Sequence, residues 1–256
     1  MDSGSNPLIA AATLIVIREG AAAPELLMLE RSAAMRFAAG ALVFPGGRVD
    51  PDDFALAEAL TVGRDLDRED LAARIAAIRE TIEETGIAIG LSPPPDIDTL
   101  AGLRIGLAGG GKFSDLIAAA GLTIDIHALM PFARWVPPED VRHRRFDTRF
   151  FVASAPVEAS EVADGTESVH AFWATASAVL ADADSGRHKI IFPTRANLVR
   201  LAQFGSFAEI RVDAESHGDR LTQSRAHYRE GVRWVSIDED LGYSYHSHFE
   251  GESPRD

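Results

Sequence analysis

Three glutamates crowd a single stretch of the chain, AIRETIEETGI, residues 77–87: Glu80, Glu83 and Glu84. At helical spacings of three and four residues, like charges repel and weaken the helix that carries them. They also fall in its last turns, where the helix macrodipole disfavours negative charge. The ordinary explanation of such a cluster is a solvated acidic face. The chemical one is a divalent cation. Hard carboxylate oxygens gathered within one turn suit Mg²⁺ or Mn²⁺, and the ion removes the repulsion. An upstream Gly46–Gly47 turn lets a backbone approach such a site closely.

The element that must hold these acids is the clearest helix in the sequence, residues 66–86. Asp67 stands as its N-cap with Asp70 three residues on, and Gly86 occupies the C′ position. On a wheel of about 100° per residue, Leu71, Ile75, Ile78 and Ile82 form one face and the three glutamates the opposite face. The apolar stripe is expected to bury against a sheet, with the carboxylates projecting away from it.

Strands are expected over residues 8–18, 26–31, 40–47, 144–154, 168–175 and 231–237, and helices over 97–121 (with a glycine-rich break), 175–183 and 193–204. The mixed order, without a strict βαβ rhythm, favours an α/β sandwich over a doubly wound sheet.

With these elements in place, RETIEETG and its upstream PGG resemble the Nudix box, G-x5-E-x7-R-E-U-x-E-E-x-G-U, where U is bulky and apolar. Arg79, Glu80, Glu83, Glu84, Gly86 and Ile87 match its second half, and Gly47 its first glycine. Asp53 stands at the early glutamate position and Thr81 at a U position. Gly47 to Arg79 is 32 positions against 14 in the pattern, so 18 extra residues must be looped out for the box to close. A second likeness covers LMLERSAAMRFAAGALVFPGG, residues 27–47, which resembles the signature of Nudix enzymes acting on coenzyme A. Leu27, Arg31, Ser32, Arg36, Gly40, Phe44, Pro45, Gly46 and Gly47 match. The stretched box, RWVPP (134–138), RFDTRFF (145–151) and FPTRANLVRLA (192–202) resemble the peroxisomal coenzyme A diphosphatases and their bacterial relatives.

The resemblance implies a Nudix-type α/β/α sandwich with a mixed sheet. One domain over residues 8–256 would carry helical insertions (54–70 and 97–121) and a C-terminal extension (190–256), after a disordered tail at 1–7. It implies hydrolysis of the diphosphate of coenzyme A or acyl-coenzyme A to 3′,5′-adenosine bisphosphate and a phosphopantetheine. Same-fold alternatives are ADP-ribose, NADH or nucleotide sugars; a different class is a non-catalytic ligand-binding module. Glu83, Glu84 and Gly47 (through its carbonyl) would ligate Mg²⁺ or Mn²⁺. Glu80 would be a third ligand or the base, oriented by Arg79, and Glu167, in a loop before a strand, would be a further ligand or base. Arg31 and Arg36 would hold phosphate, and Arg145 and Arg149 would form a basic wall. For the first pair a solvated loop, and for the second a sheet face laced with salt bridges, stand as the structural alternatives. A homodimer is an expectation of the resemblance alone.

Composition narrows the setting. The 256 residues carry a formal net charge of -14, which argues against general nucleic-acid binding and requires local cations for an anionic substrate. No apolar run of 18 residues offers a membrane span. Zero cysteines exclude disulfides and thiolate metal sites and fit a cytoplasmic setting. LIAAATLIVI imitates a signal peptide, but no Lys or Arg precedes it, and Arg18 and Glu19 interrupt before the alanines. GLAGGGKF has Phe113 where a P-loop needs Ser or Thr, and reads as a loop between helices. YSYHSH, with His246 and His248, reads as a mobile polar tail, and His143 and His170 lack triad partners.

Overall fold

The computed structural model describes residues 7–32, 39–61, 67–141, 144–156, 168–218, 220–230, 232–239 and 241–252. Strands β1 (Leu8–Arg18), β2 (Glu25–Arg31), β3 (Leu42–Val43) and β4 (Gly46–Arg48) lead into helices α1 (Pro51–Thr61) and α2 (Arg68–Thr85). There follow β5 (Leu91–Ser92), α3 (Ile97–Ala108), α4 (Phe113–Ala119), β6 (Thr123–Ile124), β7 (Met130–Val136), β8 (Arg145–Ser154) and β9 (Ser168–Thr175). The rest comprises α5 (Ala176–Asp184), α6 (Phe192–Leu201), α7 (Phe207–His217), β10 (Leu221–Gln223), β11 (Arg225–Arg229), β12 (Val232–Ser236) and β13 (Ser247–Glu252).

A mixed sheet runs in the order β10-β7-β8-β1-β2-β3, with β4 added to β1 and β9 to β2. β1 is its centre. It runs parallel to β8 over its whole length, while its other edge is shared: Ile17 and Arg18 face β2, and Ala11–Thr13 face β4. This split opens a gap in the sheet that β3 and β4 fill, and the site is built there. Successive side chains of a strand point to opposite faces. Ala12, Leu14 and Val16 enter one core with Leu71, Ile75, Ile78 and Ile82 of α2, whereas Ile15 and Ile17 enter a second with Leu198 and Leu201 of α6 and Ile210 of α7. Two helical layers thus sandwich the sheet, which explains a β1 sequence apolar on both faces.

α2 forms where the capping signals place it. Asp67 accepts a hydrogen bond from the Glu69 amide at 2.8 Å, and Gly86, at φ 68°, donates its N–H to the Ile82 carbonyl. Asp70 does not complete a capping box; it pairs with Arg74 one turn on, at 2.6 Å. Arg74 also donates to the carbonyls of Ile126 and Leu129, fastening α2 to the turn before β7.

Three expectations change. The strand over residues 40–47 is two strands, because Pro45 has no N–H to continue a ladder and instead accepts from the Leu14 amide at 2.9 Å. The acidic face of α2 does not simply project into solvent. α1 and β4 cover that side, and Glu84 is only 4% exposed. The polar C-terminal run is not a loose tail. Tyr243 is buried, its hydroxyl accepting from Trp135 Nε1 and donating to Asn197 Oδ1, both at 2.9 Å, and β13 pairs with β12. GLAGGGKF spans the end of α3, the turn at 109–112 and the first residue of α4.

Candidate active site

The glycine turn and the acidic helix meet despite the long insertion. The Gly46 amide donates to Glu84 Oε2 at 2.9 Å, across 38 positions of sequence. Gly46 sits at φ 154°, and a Cβ there would lie 2.3 Å from the Ala12 carbonyl oxygen of β1. A Cβ on Gly47 would lie 2.4 Å from the carboxyl carbon of Glu80. The first glycine therefore lets β4 lie against β1, and the second lets the Glu80 carboxyl lie against β4.

Arg79 organises the acids. Its Nε and Nη2 donate to the two oxygens of Asp53 at 3.1 and 2.9 Å, a bidentate fork to a carboxylate with no solvent exposure. Nη2 also donates to the Arg48 carbonyl at 2.9 Å, and Nη1 to Glu80 Oε1 at 2.7 Å. Glu83 Oε2 stands 3.9 Å from Nη1. One guanidinium thus ties β4, the start of α1 and the acidic stretch of α2 together, and Asp53 meets it although 26 positions separate them. Arg79 does orient a glutamate, as the sequence suggests. Its principal partner, Asp53, was legible only as the aspartate at the early glutamate position.

Burial sets the electrostatics. It raises the Glu80 carboxyl to about 7, with Arg79 opposing the rise and Glu83 and Asp50 adding to it. Burial likewise lifts Asp53 above the ordinary carboxylate range, against the Arg79 hydrogen bonds that lower it. For Arg79, burial acts to release the proton, but Asp53 and Glu80 outweigh it and hold the guanidinium charged.

The donor set fits a hard divalent cation: three carboxylates within one and a half turns, the Glu80 carboxyl seated where a Cβ on Gly47 would clash. Among the described residues no three such side chains close around one point. Mg²⁺ rarely needs that, because it is commonly held by one or two carboxylates with waters and substrate phosphates completing the shell.

A family model for the NUDT19 Nudix domain matches residues 58–201, more than half of the chain. The chain belongs to the Nudix family, in its NUDT19 group. The crystal structure of a Nudix hydrolase from Alicyclobacillus acidocaldarius superposes with a TM-score of 0.69 at 31% identity, covering 80% of this chain and 96% of that one. The fold is the Nudix α/β sandwich. Acyl-coenzyme A diphosphatase NUDT19 of Xenopus laevis is 26% identical over 235 residues, covering 73% of this chain and 62% of the relative. The Gallus gallus protein of the same name is 26% identical over 238 residues, covering 73% and 63%. The chain spans less than two thirds of these two relatives.

Of the remaining candidates, Arg31, Arg145 and Arg149 fall among the described residues. Arg31 ends β2; its backbone N–H bonds to the Ala41 carbonyl and its carbonyl accepts from the Gly40 amide, closing the base of the signature loop. Its Nε is buried without a hydrogen-bond partner among the described residues. Arg36 and Glu167, like His143, lie outside the described residues. In the sheet, Ala12 stands between Gly47 on one side and Arg149 on the other. The Arg149 side chain nevertheless reaches Glu69 at 3.4 Å, in the first turn of α2. Eleven residues separate Glu69 from Glu80, about 16 Å along a helix. Arg145 is buried and donates to the Pro137 carbonyl at 3.4 Å, and Asp147 between them pairs with Arg134 at 2.6 and 2.8 Å. This face is occupied by internal ion pairs at the far end of α2.

Proposed function

We propose that the chain is a divalent-metal-dependent pyrophosphohydrolase that cleaves coenzyme A or acyl-coenzyme A, giving 3′,5′-adenosine bisphosphate and the (acyl-)phosphopantetheine. The carrying observation is the meeting of Gly46 and Gly47 with Asp53, Arg79, Glu80 and Glu84 across the insertion, through the Gly46–Glu84 and Asp53–Arg79–Glu80 hydrogen bonds and the close approach of Gly47 to Glu80. The names of the frog and chicken relatives, and the coenzyme A signature of residues 27–47, support the substrate.

In this reading Glu83 and Glu84, with the Gly47 carbonyl, hold Mg²⁺ or Mn²⁺, which when bound neutralises diphosphate charge and favours attack by water at phosphorus. Glu80 accepts the proton of that water. A carboxyl poised near neutrality is suited to it, and Arg79 fixes its orientation. Glu167 is the alternative base or a further ligand. Arg31 and Arg36 hold the phosphates, against the net charge of the chain. Arg145 and Arg149, which contact the Pro137 carbonyl and Glu69 respectively, are the second candidate pair for phosphate or adenine. Water adds across the P–O–P bridge, so each product leaves with one of the two phosphates.

No helix among the described residues is long and apolar enough to cross a membrane. The cysteine-free sequence supports a cytoplasmic setting, and the resemblance supports a homodimer.

The deciding experiment is product release from coenzyme A, acetyl-coenzyme A, dephospho-coenzyme A, ADP-ribose, NADH and a nucleotide sugar, with Mg²⁺, with Mn²⁺ and with chelator. Metal-dependent cleavage of coenzyme A or its thioester is expected. Preference for ADP-ribose or NADH with coenzyme A intact would replace the substrate, and no turnover on any member would make the chain a binding module.

A further inference from the structure

The last four carbonyls of a helix have no partner within it. At the end of α2 this matters, because these residues carry the acids. Gly86 takes the Ile82 carbonyl. The carbonyls of Glu83 and Glu84 are taken by a side chain from another helix: Arg104 Nε donates to the first at 3.0 Å and Nη2 to the second at 3.3 Å. Arg104 stands on α3, outside the Nudix box. Its neighbours Leu103 and Leu107 are buried in the same core as α2, so the guanidinium is delivered by a helix packed in place. A cation at this end also complements the macrodipole that the acids oppose.

We propose that Arg104 is a positioning residue for the metal-binding turn: by holding the Glu83 and Glu84 carbonyls, it fixes the two carboxylates for the divalent cation. The proposal rests on the reading of Glu83 and Glu84 as metal ligands. Two effects compete when Arg104 is removed. Loss of a positive charge favours cation binding, and loss of the anchor disfavours it. A screened charge at a helix end is worth less than two hydrogen bonds from a charged donor, so the anchor prevails.

The test is an electron paramagnetic resonance titration of Mn²⁺ into the full chain without substrate, for the parent, Arg104→Met, Arg104→Lys and, as a reference, Glu84→Gln. Arg104→Met should raise the Mn²⁺ Kd by about tenfold, while KM for coenzyme A at saturating Mn²⁺ stays within about twofold. Arg104→Lys, which keeps a charged donor toward one carbonyl, should recover binding to within about threefold of the parent. A parent-like Kd in Arg104→Met, beside weakened binding in Glu84→Gln, overturns the role of Arg104 and leaves the metal reading intact. Parent-like binding in Glu84→Gln overturns both. If circular dichroism shows Arg104→Met unfolded, Arg104→Gln decides: weakening by about threefold or more supports the role, and a parent-like Kd overturns it.

Discussion

At the scale of single residues, the carboxylates differ in ways that their shared spacing conceals. Glu84 is buried and bonded to the Gly46 amide, Glu80 is held by Arg79, and Glu83 is the most exposed of the three. Glu83→Gln and Glu84→Gln should each lower kcat by about 10² to 10⁴ with the fold intact. Near-parental turnover of either variant at saturating metal would remove the catalytic assignment. Glu80 gives a pH signature in the metal-free chain. Its carboxyl titrates near 4.5 when unfolded and about 7 when folded. Between those values the folded protein keeps a proton that the unfolded chain releases. Its contribution is therefore fully present below 4.5 and is lost as pH rises through 7. Melting temperatures measured with chelator should fall across that window, and Glu80→Gln should flatten the fall. An unaltered slope would refute the assignment. That three acids gather on one side of α2 is legible in the sequence from their spacing, while their roles as ligands or base rest on the resemblance. Their unequal burial is not legible there, because it depends on β4 folding over α2, a contact no local pattern encodes.

At the scale of elements, the two glycines of the β4 turn have separable duties. Gly46→Ala places a methyl against the β1 backbone, at a φ that L-residues rarely adopt, so the sheet itself must shift. Gly47→Ala first meets the end of the Glu80 side chain, which can move aside. Gly46→Ala should thus destabilise the chain by roughly 1–3 kcal/mol, as strained backbone does. Gly47→Ala should keep most of its stability and lose about tenfold or more in kcat, as misplaced catalytic groups do. Urea melts paired with steady-state kinetics check both; equal stability losses would contradict the distinction. α2 was readable from end to end, since caps and stripe agree. The joining of α1 to it is less so: the expected helical insertion starts at residue 54, whereas α1 begins at Pro51 and brings Asp53 to Arg79. β7 and α7 were passed over, since MPFARWV has no clean alternation and FAEIRVDAESH shows a weak apolar stripe.

At the scale of the whole molecule, the C-terminal residues close the second core. Val235, Ile237 and Tyr243 are buried with α6 and α7, and β10 extends the main sheet beside β7. Tyr243→Phe removes one oxygen but leaves Trp135 Nε1 and Asn197 Oδ1 buried without that partner, so it should cost about 1–3 kcal/mol in a urea melt. A change near zero would mean that other groups satisfy those atoms. The sequence showed a late strand near residue 235 but not what it seals, because that strand pairs only with short neighbours of little pattern, β11 and β13, and the nearby Tyr243 meets Trp135 of β7 108 positions away. The parallel pairing of β1 with β8 carries a consequence for biosynthesis. Leu8 lies beside Arg145, 137 positions later. At about 5–20 residues per second, a ribosome takes roughly 7–27 seconds to deliver that partner. During that interval an apolar strand bearing half of the glycine cradle has no permanent neighbour on one edge. The nascent chain is then a natural client for holding chaperones, although the glycines and acids of the candidate site, all within the first 86 residues, are already synthesised.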